Sequence, residues 1–343
     1  MSKQSTSTDV ARLAGVSQTT VSFVLNNRHD KSISKETCDR VIEAARELRY
    51  RSNRLSEGIL RGKSGLVGVV MPTYYDYYYG NLLSGICEEI EKNNANILLM
   101  QAGDAPQSES ESINRLMEYR VDGIVCVAND WGSKVREVWL DEVLTKGIPL
   151  VIVDDRSHAS RADCIVTDDV VGACTAVAHF AAQGHRRIAH IAGYIALSTA
   201  QDRKTGYLEA LSLAGIHIDS NLIIDGDYSI ESAERAAETV LSMNALPTAV
   251  FAASDILAMP LLKKMAQRGL RCPQDITVIG YSDTNLAPLM DLSSVAQNSR
   301  EIGVTAARVL LKRAIDLSAP PSVHTLPTQL TIRQSSEWRM YNP

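Results

Sequence analysis

Residues 8–26 read Thr8-Asp-Val-Ala-Arg-Leu-Ala-Gly-Val-Ser-Gln-Thr-Thr-Val-Ser-Phe-Val-Leu-Asn26. Thr8 is expected to cap a short helix that carries an acid in its first turn and stops at Gly15. Ser17 then caps a second helix, Gln18 to Asn26. Val10, Leu13, Val16, Val21 and Leu25 are spaced to give both helices one common apolar face. Two helices this short, joined through a glycine turn, make a helix-turn-helix.

Outward from this stretch, Ser34 opens a third helix running to Leu48, with Val41, Ile42, Ala45 and Leu48 facing inward. Residues 1–63 hold twelve Lys or Arg against seven Asp or Glu, a charge of +5 in a chain of −5, so the remainder carries −10. A basic head on an acidic body suits a nucleic-acid module joined to a domain with other business. The second helix carries Gln18, Thr19, Ser22 and Asn26 on its exposed face. Gln can pair bidentately with adenine, Ser and Thr can reach base edges or phosphate, and a helix N-terminus favours a phosphate oxygen.

The run Asp9-Val-Ala-x-x-Ala-Gly-Val-Ser-x-x-Thr-Val-Ser-x-Val-Leu-Asn26, followed by Ile33-Ser-x-Glu-Thr37, Val41 and Leu48-x-Tyr-x-x-Asn53, closely resembles the LacI-type repressor family. The resemblance implies operator contacts from Ser17, Gln18, Thr19, Thr20, Ser22, Phe23, Asn26 and Asn53. Phe23 departs from the basic or polar residue often found there. It can cover a thymine methyl but cannot bond guanine, or it can tuck against the headpiece core. Residues 53–65 would form the hinge, with Ile59 as the minor-groove wedge. Gly58, which costs helix propensity, and Ser52 in place of a usual Pro imply a weaker hinge helix, and a plain flexible linker is the alternative.

Past residue 66 short apolar runs alternate with amphipathic stretches. The runs are 66–71, 97–101, 123–127, 150–153, 188–192, 223–225, 249–253 and 278–281; the helical stretches include 82–92, 110–119, 172–182, 203–213 and 230–242. This pattern means parallel sheets covered on both faces, and its length suits two doubly wound lobes. The fold class is thus an all-α headpiece (1–52) before an α/β core of two doubly wound parallel-sheet lobes (66–343), a core that the resemblance implies is like periplasmic binding proteins. Gly184–Gly193, Ser198-x4-Arg203-x-x-Gly206-Tyr207, Phe251–Asp255, Val278–Tyr281 and Leu330-x-Ile-Arg333 extend the resemblance to about residue 335. It implies three crossings between the lobes near 163, 291 and 325. Lobe 1 then holds about 66–163 and 291–325, and lobe 2 about 164–290 and 326–340.

Ligands of such lobes bind at the C-terminal strand ends. The resemblance implies an effector cleft contacted by Tyr78, Tyr79, Asp130, Trp131, Arg203, Ser254, Asp255, Ser282 and Gln297. The tyrosines over 74–79 would instead suit a cap on the lobe or a dimer surface. Ser254, Ser282 and Asp155 stand where sugar-binding members commonly use Asn, Asp or Arg, which argues against an ordinary unmodified hexose. His185 reads as a structural residue at the start of a strand.

The six cysteines form no C-x-x-C pair and read as buried reduced thiols, with no metal and no cofactor. No signal-peptide core and no apolar run of about 18 residues appears, so a cytoplasmic protein without a membrane partner is expected. Phosphate loops and the G-x-S-x-G elbow are lacking. The expectation is a regulator, by family default a repressor. It would bind double-stranded operator DNA as a homodimer, pairing in part through Leu66–Cys87, under a sugar or sugar-like effector. A regulator without such an effector, or a sugar-binding protein, is the alternative.

Overall fold

The computed structural model describes residues 5–25, 33–50, 63–72, 77–103, 107–128 and 132–337, with backbone only for 132–135. The chain divides after Ser64 into two compact units.

The first unit is built from α1 (Ser7–Ala14), α2 (Gln18–Leu25) and α3 (Lys35–Glu47). The cap of α1 is Thr6 rather than Thr8. Its hydroxyl accepts from Asp9 N at 3.3 Å, while its own backbone N–H donates to Asp9 Oδ2 at 2.9 Å. Asp9 one turn in completes a reciprocal capping box, which only a residue three before it can form. Gly15 ends α1 in the left-handed region at φ 66°. Ser17 Oγ accepts from Thr20 N at 3.1 Å and Ser34 caps α3, both as expected. Val10, Ala11, Ala14, Val21, Val24, Val41, Ala44 and Ala45 form the core, with Val16, Leu25 and Leu48 packed against it. Leu13 and Ile42, expected inside, are exposed at 48% and 38%. The alanines do this work because three short helices crossing closely leave no room for larger side chains.

The second unit holds two six-stranded sheets. The first lobe contains β1 (Leu66–Met71), α4 (Tyr77–Lys92), β2 (Asn96–Gln101), α5 (Ser108–Glu118), β3 (Gly123–Val127), α6 (Gly132–Thr145), β4 (Leu150–Val153) and β5 (Asp163–Thr167). The second contains α7 (Asp169–Ala182), β6 (Ile188–Ile191), α8 (Ser198–Leu213), β7 (Ile223–Ile224), α9 (Ile230–Leu241), β8 (Ala249–Ala252), α10 (Asp255–Gln267), β9 (Thr277–Ser282) and β10 (Ser293–Ala296). The chain returns to the first lobe for α11 (Ser299–Arg313) and β11 (Val323–Leu326), then ends in the second with β12 (Gln329–Thr331).

Strand orders are β11-β5-β4-β3-β1-β2 and β12-β10-β9-β8-β6-β7. Every pairing is parallel except β10 with β12. Continuous β-branched runs such as Ile124 to Val127 are buried on both faces because helices cover both. The expected crossings near 163 and 291 move. β5 pairs with β4 and β10 with β9, so the chain changes lobe only after Thr167, after Ala296 and after Leu326.

The three crossings are laced together. Gln297 Nε2, on the second, donates to Thr167 Oγ1 on the first at 2.9 Å. Thr328 N, on the third, donates to Asp168 Oδ1 on the first at 2.7 Å. This lacing fixes where the lobes pivot and brings the C-terminal ends of β4 and β5 close to the start of α8.

Candidate functional site

Two places gather the residues singled out by the sequence. In the first unit, Ser17, Gln18 and Thr19 open α2 and are exposed, with Thr20 and Ser22 half-buried beside them. Gln18 Nε2 donates to Ser7 Oγ in α1 at 2.6 Å, which leaves its amide oxygen outward-capable and ties α2 to α1. Phe23 is half-buried and is not part of the headpiece core cluster. Asn26, Asn53 and Ile59 lie outside the described residues, as do Ser52, Gly58 and the hinge as far as residue 62.

The second place is the cleft between the lobes of the second unit. Arg203, on α8, is 5% exposed; its Nε donates to Asp169 Oδ1 at 3.3 Å and its NH1 to the Ala253 carbonyl at 2.7 Å. Its guanidinium lies 4.0 Å over the Tyr281 ring, whose hydroxyl also donates to Asp169 Oδ1 at 2.7 Å. Burial disfavours the Arg203 charge, but Asp169 beside it, together with the nearby tyrosines, outweighs burial and raises its pKa above the ordinary guanidinium value. Gln297 is 1% exposed and adds a donor to Asp169 at 3.4 Å, while its amide oxygen accepts from Ser282 Oγ at 3.0 Å. Arg203, Ser282 and Gln297 are thus brought into one cluster around Asp169 at the edge of the second lobe, and Gln297 ties it to Thr167 at the end of β5 in the first.

Tyr78 and Tyr79 open α4 as an edge-to-face pair, centroids 5.2 Å apart. Tyr78 Oη donates to both oxygens of Asp154, at 2.8 and 2.9 Å. Burial, opposed by that hydrogen bond, pushes Asp154 up to about 7. Across the cleft, Ser198 Oγ at the start of α8 donates to the Asp154 carbonyl at 3.0 Å, and Arg156 pairs with Asp202 at 3.0 Å. Asp130 and Trp131 lie outside the described residues.

Ser254 and Asp255 serve the second lobe itself. Ser254 caps α10 by accepting from Leu257 N at 3.4 Å. Asp255, 1% exposed, accepts from Thr284 N at 2.7 Å, Thr284 Oγ1 at 2.9 Å and Ser294 Oγ at 2.5 Å. Both its oxygens are spent stapling the ends of β9 and β10 to α10. Burial still pushes it up to about 6 against those donors. Asp155 is answered by Arg136 on α6, which also bonds Glu109 at 3.2 and 3.3 Å, with Trp139 Nε1 on the same carboxylate at 3.1 Å.

The two units also match known sequences separately. Residues 6–53 fit the family described as bacterial regulatory proteins, lacI family, and residues 177–336 fit the periplasmic binding protein-like domain. The HTH-type transcriptional repressor PurR of Vibrio atlanticus (strain LGP32) is 32% identical over 310 residues, 90% of this chain and 91% of its own. The chain belongs to the LacI family of bacterial regulatory proteins. Among solved LacI-family structures, a lac repressor dimer bound to operator and the anti-inducer ONPF matches with a TM-score of 0.86. It is 25% identical and covers 97% of this chain and 99% of that one. The complex of transcriptional regulator CelR with cellobiose matches at TM-score 0.73, 28% identity, with coverage of 96% and 99%.

Against its LacI-family frame, the cleft holds three polar residues that the sequence reading passes over, Asp154, Thr167 and Asp169, and a fourth, Ser198, that it quotes in a motif without giving it a role in the cleft. Asp154 and Asp169 each follow closely on a strand end, so a search for acids just past apolar runs finds both. Thr167 has no such signal, since only the crossing geometry brings Gln297 to it. All six cysteines are free; Cys126 and Cys164 are buried, the other four half-buried. No helix is long and apolar enough to cross a membrane among the described residues.

Proposed function

We propose that this chain is a sequence-specific DNA-binding transcriptional repressor, with no catalytic step, that works in the cytoplasm. As a homodimer it reads a pseudo-palindromic operator through the N-terminal turn of α2 and responds to a small molecule in the cleft between the lobes. The observation that carries this is the exposed polar start of α2, Ser17, Gln18 and Thr19, on a capped helix-turn-helix of a LacI-family chain. Those are the residues a major groove can meet, and two headpieces on one dimer would reach half-sites about one turn apart. The cleft supports the second half of the reading. Its polar cluster joins both lobes across the crossings, so a ligand seated there would bias their closure, and such bias acts only through unequal affinity for the two states.

The test is selection of bound duplexes from a random pool by the full-length protein, followed by sequencing. An enriched inverted repeat with half-sites about 10 base pairs apart supports the reading. Gln18→Ala should then relax preference at one base pair per half-site, weakening binding there by about 1–3 kcal/mol. A pool with no enriched repeat at low salt would sink it.

A further inference from the structure

Asp154 stands directly after β4, held in the left-handed backbone region at φ 64°. A non-glycine residue kept there is strained, and such strain collects where function needs it. Its two oxygens share the single O–H of Tyr78, and among the described residues no Lys, Arg or His nitrogen pairs with it. The neighbouring acids are all provided for. Asp169 has Arg203, Tyr281 and Gln297; Asp155 has Arg136 and Ser157; Asp202 has Arg156; Asp168 has the Thr328 backbone. Arg203 acts on Asp154 only from farther off and is already committed to Asp169 and the Ala253 carbonyl.

A carboxylate shielded from water without a counter-charge is unfavourable, and one phenol recovers only part of that. Among the described residues, then, no positive charge is paired with this acid, at a point where two electron-rich rings, Tyr78 and Tyr79, stand beside it. A neutral sugar can offer hydroxyls here but cannot supply the charge. Residue 155, where a cation could have sat next to this acid, is itself an Asp occupied elsewhere.

We propose that the effector of this cleft is a small organic cation, an amino sugar or an aliphatic amine, whose ammonium group seats on the Asp154 carboxylate beside the Tyr78 and Tyr79 rings. An ammonium there gains the ion pair and the ring faces together. This rests on the reading of the cleft as an effector site and narrows the class of ligand.

The test uses full-length protein without DNA at pH 7, with D-glucosamine and putrescine as cationic probes and N-acetyl-D-glucosamine, D-glucose and 1,4-butanediol as neutral matches. At least one cationic probe at millimolar concentration is expected to raise Tm while the neutral matches do not. Calorimetry in two buffers of different ionisation heat should show proton release on binding, as the half-protonated Asp154 gives up its proton. Asp154→Asn should abolish both responses, yet melt at or above the wild-type temperature at pH 8, because an uncompensated charge is gone. Tyr78→Phe, which keeps the ring and the acid, should retain the response. An equal response to the neutral probes, a response that survives Asp154→Asn, or no response to either amine overturns the proposal. Gel shifts on the selected operator without any probe report on the repressor reading separately, so failure of one is not failure of the other.

Discussion

His190 on β6 is fully buried, with its ring stacked at 5.0 Å against both Tyr207 and Phe251. Nδ1 meets the Phe251 carbonyl at 3.0 Å, while Nε2 is buried without a hydrogen-bond partner. Burial pushes this imidazole down to about 4, from an ordinary value near 6.5. The fold accepts the neutral ring, whereas the unfolded chain protonates first as the pH falls. The stability tied to that difference is therefore whole above about pH 6.5 and lost progressively towards pH 4, by about 3 kcal/mol at most. Asp154 runs the other way. Its carboxyl is raised to about 7, so its contribution is whole below the ordinary carboxylate range and shrinks as the pH climbs to 7. Between pH 4 and 6.5 the two slopes oppose each other, and the wild-type curve alone would hide both. His190→Phe keeps the stacked ring and removes the titration. Its stability relative to wild type in urea unfolding should rise by about 2–3 kcal/mol on going from pH 7.5 to pH 4.5. A difference that does not change with pH would show that His190 is not held neutral.

At the scale of elements, α4 and α11 cross with their backbones touching. A Cβ at Gly303 would strike the Leu82 carbonyl, and one at Gly85 the Arg300 carbonyl. Main chain cannot rotate aside as a side chain can, so Gly303→Ala must part the helices that cover one face of the first sheet. Overpacking of this kind costs about 1–3 kcal/mol or more, against only about 1 kcal/mol of helix propensity gained. Gly303→Ala should thus lower the Tm by several degrees. Gly80→Ala, in the same α4 but with open space around it, should leave Tm unchanged or raise it slightly. Equal effects at the two positions would refute the close crossing.

Neither glycine stands out in the sequence, where α11 is not recognised at all. Eight strands were legible to within a residue or so because their β-branched runs are continuous. β5 reads as a crossing because polar Asp163 and Thr167 bracket only three apolar residues. β10 begins Ser293-Ser294, whose hydroxyls are buried only because Arg333 O and Asp255 accept them. β11 and β12 alternate weakly at exposed edges. In the cleft, Arg203, Ser282 and Gln297 were reachable through a known motif. Asp154 and Asp169 were hidden behind the more conspicuous Asp155 and Asp255, which turn out to be stapled into single lobes.

At the scale of the whole second unit, what matters is how firmly the lobes are closed without a ligand. The crossings are laced, but away from them the bridges among the described residues are few: Ser198 to the Asp154 carbonyl, and Arg156 to Asp202. Arg156 is more than half exposed, and an ion pair in that setting is worth about 0–1 kcal/mol after solvent screening. The neutral hydrogen bond adds about 1 kcal/mol. Closure held by so little is readily biased, since a ligand gaining a few kcal/mol in one state would move the balance from one side to the other. Removing the pair should therefore alter the lobes far more than the folding. Asp202→Asn is expected to leave the urea midpoint almost unchanged and to raise the open fraction up to about fivefold. Distance labels at exposed Glu118 in the first lobe and Glu234 in the second would report it. Arg156→Gln should do the same, and the double variant no more than either, because both single changes break one bond. An additive double variant would mean that Arg156 and Asp202 act through other partners, and an unchanged distance that closure is set at the laced crossings alone.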